Sequence, residues 1–274
     1  MSQACTRAGV VKRRARCASA SVSLAHVALL AAAAGLLRLG AMIRIGTSGY
    51  NYPEWKGRFY PSDLAAAKML PWYAERFTTV EINYTFYRMP TPKIVAGWAA
   101  QVPEHFTFTL KAPRRITHDR RLLDIADPLR AFCDAAATLG PRLGCLLFQL
   151  PPNMKVDLGR LDAFLAELPP AARAALEFRH ESWWTDEVYD RLKAKNVALC
   201  IADSDTRHTP VVATADYGYL RLRDEGYGPA DIDRWADVVR QHAADWRDTY
   251  VYFKHEDEGK GPEFAAQLVD RLKV

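Results

Sequence analysis

A-A-L-E-F-R-H-E-S-W-W, residues 174–184, is the stretch whose reading decides the fold. An apolar run opens it, and Glu177, Arg179 and His180 follow within four residues, ahead of Trp183 and Trp184. On a strand successive side chains point to opposite faces, so Glu177 and Arg179 share one face while Leu176 and Phe178 share the other. Such a strand can be covered on both faces only if its charged face looks into a hollow where the charges are paired or meet a ligand, because an unpaired buried charge is very costly.

The same plan recurs outward from this stretch. Apolar or alternating runs that end in polar residues occur at 43–46, 79–83, 106–111, 145–150, 174–179, 198–203, 217–223 and 249–255, which makes eight. Between most of them the spacing predicts helices over 62–77, 92–101, 128–139, 158–168, 186–195, 230–246 and 262–272, several with a proline at the start or just past the end. Only 204–215 carries no helical period. Strands alternating with helices imply parallel pairing, and eight units predict a single TIM-type β/α barrel of eight parallel strands. An open doubly wound sheet is the alternative, disfavoured because no Gly-rich turn opens a helix.

Composition narrows the function classes. The 274 residues carry a formal charge of +5, but Arg7, Lys12, Arg13, Arg14, Arg16 and Arg38 sit in the first 41 residues with no acid among them. Removing those six from 37 leaves 31 basic against 32 acidic side chains for 42–274, a net of −1. A polycationic nucleic-acid footprint over the whole body is therefore not favoured. The five cysteines, Cys5, Cys17, Cys133, Cys145 and Cys200, form no C-x-x-C pair or Cys/His cluster. That pattern points to buried thiols in a reducing, cytoplasmic setting rather than a zinc site or a disulfide framework. Residues 1–41 read as a non-barrel extension, disordered or not translated, with Met42 as the start of a domain over 42–274. A targeting segment and a membrane-associating appendage are the competing readings of that basic-then-apolar stretch.

In a β/α barrel the chemistry gathers at the carboxyl ends of the strands. Period two turns inward Glu81 and Asn83, Thr107, Thr109 and Lys111, Gln149, Glu177 and Arg179, Asp203, Arg221 and Arg223, and Tyr252 and Lys254. Glu177 and Glu81, from distant strands, are candidates for an acid and a base, and structural pairing with Arg179, Arg221 or Lys111 is the competing reading. Lys111 is a candidate anion clamp or reactive amine, and His180 and His118, just past strand ends, are candidate proton carriers or ligand contacts. Asn83, Gln149, Arg179, Asp203, Arg221 and Lys254 would hold the ligand, and Arg forks suit phosphate or carboxylate. Loop aromatics, Tyr50, Trp55 and Trp183 foremost, could stack on a sugar or a base, or simply cap the barrel.

The residues also carry a family resemblance. I-G-T-S-G-Y at 45–50, V-E-I-N-Y-T-F-Y at 80–87, K-A-P-R-R-I-T-H at 111–118, L-F-Q-L-P-P at 147–152, L-E-F-R-H-E-S-W-W at 176–184 and I-A-D-S-D at 201–205 resemble the successive motifs of the YecE-like family, a domain-of-unknown-function family. The likeness covers 42–274 and implies a barrel with these motifs around its mouth. It implies no reaction. Tyr84 and the ending Lys254-His255-Glu256-Asp257 depart from the common pattern.

The leading expectation is an enzyme, of hydrolase, lyase or isomerase type, acting by acid/base chemistry on a small polar, anionic, phosphorylated or sugar-like ligand. It would need no organic cofactor and no membrane for its body. A non-catalytic protein holding a nucleotide or single-stranded nucleic acid is one alternative, marked by steep salt dependence. Metal-assisted isomerisation or phosphodiester cleavage through Glu81, Glu177, Asp203 and His180 is the other, although no metal-ligand spacing supports it. The sequence does not set the oligomeric state.

Overall fold

The computed structural model describes residues 42–256 and 259–274, so the expected extension at 1–41 lies outside the described residues. The strands are β1 (Met42–Ser48), β2 (Thr79–Ile82), β3 (Thr107–Lys111), β4 (Leu143–Gln149), β5 (Ala174–Glu177), β6 (Ala198–Ser204), β7 (Arg207–His208), β8 (Tyr217–Leu222) and β9 (Asp248–Phe253). All except β7 pair in parallel in the order β5-β4-β3-β2-β1-β9-β8-β6, and β5 pairs again with β6, which closes an eight-stranded barrel. The link that lacks a helical period holds β7, a two-residue antiparallel partner of β6.

Helices α1 (Met69–Ala74), α2 (Tyr84–Tyr87), α3 (Pro92–Ala99), α4 (Ala126–Ala137), α5 (Leu158–Glu167), α6 (Asp186–Ala194), α7 (Pro229–Gln241) and α8 (Lys260–Leu272) fill the connections. Local chemistry sets several starts. The Thr91 hydroxyl accepts from the Ile94 amide with Pro92 at the first turn, and the Asp157 carboxylate accepts from the Arg160 amide at 2.9 Å. The helix expected over 62–77 shrinks to a 3-10 turn at Ala66–Lys68 and the six residues of α1. Pro71 explains the correction, because proline is tolerated in a first turn and not in a helix interior, so a helix containing it must begin near Met69. Among the described residues no helix is long and apolar enough to cross a membrane.

Two apolar layers follow from the strand alternation. One lies between barrel and helices, while the other fills the barrel, where Tyr217, Tyr219, Tyr250 and Tyr252 of β8 and β9 face small residues such as Ala175, Ala198, Cys200 and Cys145. Large rings opposite small side chains interdigitate across the hollow. The tyrosine hydroxyls are satisfied inside it. Tyr252 bonds the hydroxyls of Thr79 and Thr109, each at 2.8 Å, and Tyr217 donates to the Ala174 carbonyl at 2.9 Å. The amino end is closed by Asp248, which pairs with Arg44 at 2.7 Å and Arg173 at 2.6 Å. The thiols of Cys133, Cys145 and Cys200 are free and buried.

Candidate functional site

At the carboxyl end of the barrel, β2, β5 and β8 bring Glu81, Glu177 and Arg221 together beneath the mouth. All three are almost fully buried, at 0%, 2% and 1% exposure. Arg221 lies between the two acids. Its Nε donates to both oxygens of Glu81 at 3.0 and 3.1 Å, and its Nη1 donates to Glu177 at 3.1 Å. Strand register supplies the remaining donors. Ser48 stands beside Glu81 and Gln149 beside Glu177 across their ladders. The Ser48 hydroxyl donates to Glu81, Tyr219 donates to it at 2.6 Å, and the Gln149 amide reaches both oxygens of Glu177 at 2.8 Å. A buried ion pair offsets its desolvation only when its lone pairs are filled in this way.

The network fixes protonation. Burial alone would push the Glu81 carboxyl up, but the Arg221 charge, with hydrogen bonds from Arg221, Ser48 and Tyr219, outweighs it and the net direction is down. Glu177 behaves alike: burial raises it, and Arg221, Lys111, the Gln149 hydrogen bond and Arg179 together bring it lower. Both acids are therefore held as carboxylates and serve as a floor. The competing sequence reading, in which Glu177 pairs with Arg221, describes this geometry, and Glu81 pairs with Arg221 rather than with Lys111.

Above the floor opens a cavity of about 510 Å³. Lys111, Arg114, Arg179, Arg221, Arg223 and Lys254 line it against the single carboxylate of Glu256. Three of these cations are ion-paired: Arg221 to the floor, Arg114 to Asp119 at 3.0 Å and Lys254 to Glu256 at 2.9 Å. Arg179 stands 3.9 Å from Glu177, and its buried Nε has no hydrogen-bond partner among the described residues. Arg223 has no ion pair among the described residues. Lys111 is 8% exposed and likewise forms no ion pair there; its ammonium lies 4.3 Å from the centre of the Phe86 ring. Burial, followed by the Arg221 charge, pulls the Lys111 amine down to about 7 against the raising effect of Glu177 and Glu81. His118 stands edge-on to Phe86, and burial with the charges of Lys111, Arg179 and Arg114 brings it down to about 4. It is thus a neutral imidazole at neutral pH.

The structure gathers Glu81, Glu177, Lys111, Asn83, His118, Gln149, Arg179, Arg221 and Lys254 at this end. Asn83 donates to the Ser48 hydroxyl at 2.8 Å. Other predicted site residues lie elsewhere. Asp203 is a correction of phase: Ala198, Cys200 and Ala202 take the inner face of β6, so Asp203 points outward to Tyr227 at 2.6 Å, Arg234 at 3.3 Å and His208. Trp183 is core: the turn at Glu181–Trp183 folds it back onto Phe178, 4.6 Å away, in the layer between barrel and helices, with its indole donating to the Met154 carbonyl. Trp55 is 1% exposed and donates to the Glu256 carbonyl at 2.8 Å, which ties the first loop to the last instead of presenting a ring to the mouth. His180 is absent from the mouth lining; its Nδ1 accepts from the Ser182 amide and so closes the Glu181–Trp183 turn. Tyr50 lines a smaller neighbouring cavity. Among the described residues no three His, Cys, Asp or Glu side chains gather as a ligand set, and the quartet Glu81, Glu177, Asp203 and His180 is divided by the outward turn of Asp203.

Sequence reasoning passed over Ser48, Tyr219, Phe86, Arg114 and Glu256. Ser48 and Tyr219 obey period two and would have emerged from reading β1 through to its end and β8 at full phase. Phe86 lies on the single turn of α2, Arg114 opens the π turn at Arg115–Asp119 and Glu256 comes from a loop, so none sits in a run long enough for periodicity to mark it.

A family profile described as "Protein of unknown function DUF72" matches residues 44–274. The UPF0759 protein YecE of Escherichia coli K12 is 32% identical over 264 residues, covering 85% of this chain and 93% of that one. The UPF0759 protein YunF of Bacillus subtilis is 22% identical over 277 residues, with 85% and 95% covered. Among solved structures, a DUF72 family protein from Thermotoga maritima superposes with a TM-score of 0.77 at 25% identity, covering 85% of this chain and all of that one. One from Enterococcus faecalis gives 0.72 at 19% identity, with 85% and 96% covered.

Proposed function

The chain belongs to the DUF72 family of proteins of unknown function, and from the chemistry of its own barrel mouth we propose an enzyme that moves a proton on a small anionic, phosphorylated or sugar-like ligand. The carrying observation is Lys111: a nearly buried amine brought down to about 7, without an ion pair among the described residues, beside guanidinium groups with unused donors. A base poised near the working pH combines a useful unprotonated fraction with enough driving force. Arg179 and Arg223 present planar forks that suit a phosphate or carboxylate. The free amine of Lys111 accepts a proton from the held ligand and returns it as the ammonium. Negative charge that develops on the ligand faces the same guanidinium groups. Glu81 and Glu177 stay ionised and keep Arg221 in place, so they position the site and move no proton.

Two measurements test this. Trinitrobenzenesulfonate at neutral pH should label Lys111 ahead of the other lysines by mass spectrometry, and inorganic phosphate should protect it. Labelling no faster than elsewhere, or indifferent to phosphate, contradicts the poised amine and the anion site. A panel of sugar phosphates incubated in D2O then reads proton transfer by NMR: exchange at a carbon-bound hydrogen should appear with wild type and vanish in Lys111→Met. Exchange with none of the panel, or exchange that survives the substitution, overturns the catalytic role.

A further inference from the structure

Beside the mouth lies a second cavity of about 270 Å³, and the two share Tyr52 and Asn83 as a common wall. Their linings differ in kind. The side cavity is walled by Tyr50, Asn51, Tyr84, Ile94 and Trp98, and none of the cations of the mouth reaches it. Ile94 and Trp98 stand four residues apart on α3, which stacks them on one helix face toward the cavity. The dividing wall is built in. Tyr52 donates its hydroxyl to the Ser48 carbonyl at 2.9 Å and lays its ring over Gly49, whose φ is +98°. A Cβ at Gly49 would come within 2.6 Å of that ring, so only glycine lets Tyr52 stand there.

A lining of aromatic rings and carboxamides, with no charge to match an ion, suits an uncharged flat group. Aromatic faces take the C–H face of a sugar ring or the face of a base, and the Asn51 amide can serve a ring hydroxyl or amide. The mouth next door suits the opposite chemistry. We infer that the two cavities form one bipartite site for a phosphomonoester, its anionic head among Lys111, Arg179 and Arg223 and its uncharged ring in the side cavity. This rests on the anion-binding reading of the mouth and adds the class of molecule that fills it.

The test is isothermal calorimetry with four probes: inorganic phosphate, glucose 6-phosphate, adenosine 5′-monophosphate and unphosphorylated adenosine. Wild type should bind phosphate, and at least one of the two esters about tenfold more tightly or better. Which ester gains decides between a sugar and a nucleoside ring. Ile94→Trp, which fills the side cavity from the outer helix, should cancel the gain and leave phosphate binding as it was. Tyr84→Ala, at a residue 45% exposed and outside the core, should weaken the gain without threatening the fold. If neither phosphate nor the esters bind, the anion site itself is wrong and the inference falls with it. If phosphate binds, and the esters bind no better or keep their advantage in both variants, the bipartite site alone is overturned. Adenosine binding as tightly as its phosphate overturns the division of labour between the two cavities.

Discussion

Lys111 is the residue whose charge state the fold alters with most consequence. Its amine titrates near 7 when folded and near 10.5 in a model peptide, so between those values the unfolded chain binds more protons than the folded one. Stability therefore rises with pH across that interval, and the cost of the buried ammonium is complete below about 7. Lys111→Met should stabilise the protein by roughly 2–4 kcal/mol in urea denaturation near pH 6, and by less near pH 9. An equal gain at both pH values would mean that Lys111 is not depressed. The position of this residue was legible from F-T-F-T-L-K, whose clean alternation sends Thr107, Thr109 and Lys111 to one face. Its isolation from carboxylates was not legible, because Arg221 claims both acids and that depends on distances across the hollow.

At the scale of elements, strand phase carried most of what could be foreseen and also the main error. β2, β4, β5 and β8 kept the phase that a polar terminus suggested, whereas β6 did not. In A-L-C-I-A-D-S the apolar residues of both faces look alike, so only the tyrosines opposite, which require small neighbours, decide that Ala198, Cys200 and Ala202 face inward. Loop conformation was less legible still. The turn after β1 owes its shape to Gly49, and Gly49→Ala should cost about 1–3 kcal/mol through the left-handed backbone and the displaced Tyr52 ring. Thermal denaturation measures this, and an unchanged midpoint would show that Tyr52 is not seated on that glycine. The π turn at Arg115–Asp119, which carries His118 over Phe86, has no signature in composition or period.

At the scale of the molecule, the barrel is closed by ladders between neighbouring strands, and the three charged residues cut across it. β2, β5 and β8 are not hydrogen-bonded to one another, and Arg221 stands 140 residues from Glu81 and 44 from Glu177 in the chain. Arg221→Met leaves two buried carboxylates without their counter-ion and should cost about 3–5 kcal/mol near pH 7. Without Arg221 the largest effect opposing burial is gone and both carboxyls move up from their wild-type positions, so the deficit should narrow near pH 5, where they can take up protons. A deficit that stays constant with pH would show that the loss is one of packing alone.

The tie among Glu81, Arg221 and Glu177 also limits how this protein can vary. Each member is tolerable only in the company of the other two, so the paths between working versions pass through intermediates that fold badly. In a library with all three codons randomised together and survivors sequenced, the tolerated combinations should arrive as whole sets, either the ionic trio or a wholly apolar replacement, with the one-letter changes between them missing.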